Sequence, residues 1–158
     1  MELMHHYSSY VCNSTLGTTE KVQRLWSTYI VDEALRHSFL LQQLLALSAL
    51  SLAHLRPAES ARYLSMCDRH QGIALAGYQR ALSGDVTADI APALFSFAAA
   101  ISISSMARAC ARASSQPAPK AVDMDEITEM FVLTRYGIVT SGRCSEIWAD
   151  IVAEASAT

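Results

Sequence analysis

The side chains able to do chemistry are scattered. Five histidines invite a catalytic or metal-binding reading. His5 and His6 are adjacent, so on a helix they point about 100 degrees apart and cannot hold one metal ion together. His37, His54 and His70 each stand alone, without an HxxxH or HxxxE clip nearby. His70 falls on an apolar helical stripe, where a hydrogen-bonded core histidine is the ordinary expectation. The four cysteines, Cys12, Cys67, Cys110 and Cys144, lie tens of residues apart, which excludes a zinc site built from CxxC pairs and predicts free, mostly buried thiols in a reducing compartment. No serine sits in GxSxG, and the glycines form neither GxGxxG nor a GxxxxGK[ST] phosphate cradle. No catalytic residue, metal ligand or cofactor is therefore assigned. What remains is an apolar concavity between helices, for which Met4, His6, Tyr10, Trp26, Phe39, Met66, Phe95, Phe97 and Met106 are the candidate ligand-lining residues. The same stripes also read as plain core.

The elements that would position these residues are helical almost throughout. Residues 20–34 place Val22, Leu25, Trp26, Tyr29 and Ile30 on one face. Residues 38–54 (SFLLQQLLALSALSLAH) are apolar on nearly all sides and should be surrounded by other helices. Pro57 suits the first turn of a new helix, which carries Tyr63, Met66, Cys67, His70, Ile73, Ala74, Gly77, Tyr78, Ala81 and Leu82 on one stripe before Ser83-Gly84-Asp85 ends it. A fourth long helix is predicted from near Thr87, with Thr87 or Asp89 as its cap, to about residue 113. SSQPAPK at 114–120 reads as a short linker. Beyond it, helices are expected over 123–136, with Ile127, Met130, Phe131 and Thr134 on one face, and around Ile147, Trp148, Ile151 and Val152. The expected architecture is all-α, a single multi-helix bundle of about six to seven helices over residues 1–158.

Composition agrees with a folded domain. The chain has 158 residues, 51% hydrophobic and 17% charged, with a formal net charge of -3. So much apolar side chain excludes intrinsic disorder, and a chain of this length buries roughly 68 to 70% of its unfolded surface. The acidic balance argues against direct nucleic-acid contact as the main task. IAPALFSFAAAISISSMA, residues 90–107, carries no charge, but its serines, alanines and Pro92 read as a buried helix rather than a membrane span. Residues 121–158 hold seven acidic side chains against two basic ones. Interspersed hydrophobics allow an activation segment. Asp123, Asp125 and Glu126 equally fit a solvated first helical turn, where the macrodipole favours acids.

Several stretches carry a resemblance. ELMHHYSSYVCNSTLG at the start, LW at 25–26, ALRHSFLLQQLLALSALSLAH at 34–54 and YLSMCDRHQGIALAGYQRAL at 63–82 resemble the regulatory region of fungal zinc-cluster transcription factors, especially the sterol-uptake-control type. ALFSFAAAISISSMA and DEITEMFVLTRYGIV are similar to the next two helices of that region. Ser38 departs from the family, which usually has proline there. The resemblance implies the first part of an all-α ligand-sensing regulatory domain, located in the nucleus, the cytoplasm or both. It implies a homo- or heterodimer with a related transcription factor and an apolar ligand, a sterol or a polyketide- or terpenoid-like molecule. The six-cysteine DNA-binding module of the family has no counterpart in this sequence. DNA contact would come from a partner chain, and the expected function is regulation of sterol or secondary-metabolite genes. The alternative is a stand-alone apolar-ligand-binding protein or a cyclase-like enzyme of secondary metabolism, with His5, His6, Tyr7 or Tyr10 supplying a proton.

Overall fold

Ser38–Leu55 is the axis on which the other helices pack. In the computed structural model, which describes residues 1–15 and 20–115, five continuous helices are present and no strand occurs among the described residues. The first joins α1 (Glu2–His6) to a π-helical stretch, Tyr7–Thr15. The second runs α2 (Glu20–Arg24), a π-helical turn (Leu25–Tyr29) and α3 (Ile30–Arg36) without a break. Then follow α4 (Ser38–Leu55), α5 (Ser60–Ser83) and α6 (Ala91–Ser115). The expected helices after residue 120 lie outside the described residues.

Local chemistry explains each boundary. His37 is extended, at φ -119° and ψ 100°, and separates α3 from α4. Its N–H closes α3 by donating to the Glu33 carbonyl at 2.9 Å, and its own carbonyl accepts from Leu40 and Leu41 at the start of α4. Buried Glu33 faces Arg36 at 3.4 Å and His37 at 3.8 Å, so an otherwise costly carboxylate is partnered. Arg56, at φ -126° and ψ 77°, ends α4, since the residue before a proline is disfavoured in the helical region. Pro57–Glu59 forms one 3-10 turn, and this short connection returns α5 antiparallel along α4. At the far end of α5, Gly84 is extended rather than left-handed. The Ala91 N–H then donates to the Thr87 carbonyl at 3.1 Å, closing a turn that leads into α6, which begins at Ala91 rather than near Thr87.

Two hydrophobic clusters share α4. The larger joins Tyr7 and Val11, Trp26 and Ile30, Phe39, Leu40 and Leu44 of α4, Tyr78 of α5, and Leu94, Phe97 and Ile101 of α6. The smaller gathers Leu3, Leu50, Leu52, Tyr63 and Cys67 at the other end of α4. Fully burying one such large apolar side chain contributes about 1.5–3 kcal/mol. α4 and α6 are each long and apolar enough to cross a membrane by composition. More than half of each is buried against neighbouring helices, which accounts for the same composition as bundle core. Cys12 and Cys67 are free and buried, and burial pushes both thiols up from their usual range.

Candidate functional site

The aromatic centre of the bundle is built where α4, α5 and α6 meet. Phe39 stands in the first turn of α4, Tyr78 near the end of α5 and Phe97 in the second turn of α6. Tyr78 and Phe97 stack with ring centroids 4.3 Å apart, and Phe39 meets Phe97 edge-on at 5.8 Å. Gly77 permits this approach. A Cβ there would sit 2.7 Å from the Phe39 Cβ, closer than side-chain carbons come. Trp26 joins the same cluster from the second helix. Its carbonyl accepts from the Tyr7 hydroxyl at 3.1 Å and, more weakly, from the Cys12 thiol at 3.7 Å. The two π-helical stretches are thus tied to each other inside the core.

A polar seam runs through this apolar centre. Gln43 and Ser104 are both fully buried, and the Gln43 amide donates to the Ser104 hydroxyl at 3.0 Å across α4 and α6. Ser104 in turn donates to the Ala100 carbonyl. Among the described residues Gln43 Oε1 has no hydrogen-bond partner, nor do the buried hydroxyls of Ser48 and Ser96. Such groups lose their hydration without replacement, so they fix helix register at some cost in stability.

The N-terminal helix is held on α4 and α5 by a second polar group. Arg56 donates to Glu2 at 2.8 Å and to the Tyr63 hydroxyl at 2.7 Å, and Tyr63 donates to Glu2 at 2.9 Å. Those hydrogen bonds, Tyr63's first and then Arg56's, hold the Glu2 carboxyl below its usual range. One turn on, His6 Nε2 is 3.0 Å from Ser51 Oγ and the His6 ring stacks on Tyr10. Burial and then the Arg56 charge lower the His6 pKa. His70, on the apolar stripe of α5, is half-buried with Nδ1 2.6 Å from Gln42 Oε1, and burial lowers its pKa too.

The nine candidate ligand-lining residues are distributed unevenly among these features. Trp26, Phe39 and Phe97 come together in the larger core cluster. Met66 packs beside the smaller one. His6 and Tyr10 pair on the N-terminal helix, with Tyr10 exposed and Met4 half-buried on the same helix. Phe95 is half-buried on α6, and Met106 is 57% exposed. Of the proton donors weighed for an enzyme, Tyr7 has its hydroxyl committed to the Trp26 carbonyl, and burial raises its pKa far above the usual phenol range. Tyr78, Gln43 and Ser104 are central to the geometry and absent from the candidates. A glutamine inside a charge-free helix was the available signal for Gln43.

Helices wrapped around a charge-free central helix, with an aromatic junction where α4, α5 and α6 meet, define an all-α bundle. The family model described as fungal specific transcription factor domain matches residues 2–116, and the chain belongs to that family. The match spans all five helices, from Glu2 to Ser115. At family level the role is regulatory. No curated protein and no solved structure matches the chain significantly.

Proposed function

We propose that this chain is the ligand-sensing, regulatory part of a sterol-uptake-control-type system, acting in the nucleus or cytoplasm on a related DNA-binding chain. The supporting observation is the family match over residues 2–116, which covers the bundle around Ser38–Leu55. An apolar molecule, a sterol or a polyketide- or terpenoid-like compound, would bind near Trp26, Phe39 and Phe97 and shift the helices toward the arrangement it prefers. Only a difference in affinity between two arrangements can do this. DNA contact belongs to the partner, a zinc-cluster relative with which this chain pairs.

Two measurements test the reading. Purified chain is mixed with radiolabelled sterol and, separately, with its zinc-cluster relatives in gel-shift reactions. Saturable sterol binding, with the sterol recovered unchanged, and an altered shift for at least one relative are expected. Sterol recovered as a new product would favour the cyclase-like alternative. Absence of any effect on every relative would remove the partner from the account.

A further inference from the structure

The outer face of α5 is cationic and partly apolar, and it has no partner among the described residues. At 100 degrees per residue, Arg62, Arg69, Ile73 and Arg80 fall within about 40 degrees of arc. All four are exposed, and Ile73, expected on the apolar stripe of α5, is instead 48% exposed. Arg62 is paired with Glu59 on its own turn, whereas Arg69 and Arg80 meet no carboxylate among the described residues. They stand about 16 Å apart along the helix. Between them the surface is low: Ala76 is exposed, and a Cβ added at Gly72 would meet nothing within 4 Å.

Complementary chemistry exists in the chain itself. Residues 121–136 carry Asp123, Asp125, Glu126 and Glu129 beside Ile127, Met130 and Phe131. The helix that the sequence predicts over 123–136 puts Asp123 and Glu126 on or beside the same side as the three apolar residues. Chain geometry permits the encounter. Phe97 of α6 stacks on Tyr78 and Arg108 pairs with Asp68, so α6 runs antiparallel to α5 and ends at Ser115 about 10 Å beyond Asp68, toward Ser60. The next seven residues, 116–122, can span about 23 Å, which exceeds the roughly 17 Å needed to cross a helix diameter of about 10–12 Å and return about 12 Å along α5 to Arg69.

We propose that segment 121–136 docks within the same molecule on the outer face of α5, its acids meeting Arg69 and Arg80 and its apolar side meeting Ile73. The contact covers a cationic surface with the chain's own acidic stretch, and it weakens as salt rises. Any partner reaching that face must compete with it.

The test uses the full chain with a benzophenone side chain at position 76, which is exposed and outside the core. Irradiation is expected to give crosslinks to residues 121–136 in the monomer band. Arg69→Glu with Arg80→Glu should reduce them about tenfold, because two attractions become repulsions. Adding Asp123→Arg with Glu126→Arg should restore them. Circular dichroism of each variant should be unchanged, since the altered α5 side chains lie outside the core. Crosslinks only between two chains, crosslinks only to other residues, or a yield indifferent to charge reversal would overturn the proposal.

Discussion

Gly72 and Gly77 lie five residues apart on α5 and should respond oppositely to the same substitution. Gly77→Ala drives a Cβ into the root of the Phe39 side chain, which can move only with the α4 backbone. Overpacking of this kind costs about 1–3 kcal/mol, offset by up to about 1 kcal/mol of helix propensity. The expected net loss is about 1–2 kcal/mol, seen as a lower urea midpoint. Gly72→Ala meets open space and should add about 0.5–1 kcal/mol of stability, raising that midpoint. The histidines give a pH dependence with a definite sign. His6 and His70 both have folded pKa values below the model-compound 6.5, so the unfolded chain binds more protons in the window just below that value. Their contribution is complete above about pH 6.5 and falls away as pH drops through the folded values. Urea midpoints should therefore fall between pH 7.5 and pH 5.5, and His6→Gln with His70→Gln should flatten that slope.

Helix boundaries were legible because breakers and periodicity act locally. The expected 38–54 became Ser38–Leu55, and the helix expected to begin after Pro57 became a 3-10 turn followed by Ser60–Ser83. The fourth long helix begins at Ala91 rather than near Thr87, since a turn over residues 88–90 precedes it. The two π-helical stretches were not legible: their apolar spacing is almost that of an α-helix, and they are held by side chains far apart in sequence. Tyr7 and Cys12 reaching the Trp26 carbonyl is such a contact. Tyr7→Phe keeps the ring and removes the strong donor, so it should cost about 1–2 kcal/mol. Amide exchange should accelerate most in residues 2–15 and 20–36, the two helices the bond joins. Uniform acceleration along α4 and α5 would contradict a local tie. The candidate site was less readable than the elements, because side-chain type does not give depth. Phe95 and Phe97 are both phenylalanines of α6, yet about 200 degrees separate them, and only Phe97 is fully buried.

At the scale of the molecule, α4 explains why the bundle has one centre. It is apolar on nearly every side, and the N-terminal helix, α3, α5 and α6 each cover part of it. A ligand or partner that moves any one of them must repack a shared surface, and packed cores change arrangement in discrete steps rather than by gradual deformation. That coupling is what a regulatory domain requires. It also makes the proposed activity dependent on an intact core. Phe97→Ala would remove the side chain at the junction of three helices, at a cost of about 3–5 kcal/mol. The decisive measurement is reporter output from a promoter controlled by a zinc-cluster relative, with this chain or its Phe97→Ala variant co-expressed at equal abundance. The account predicts a severalfold change with the wild-type chain and a diminished or absent change with the variant. Equal output with wild type, variant and empty vector for every relative would contradict it.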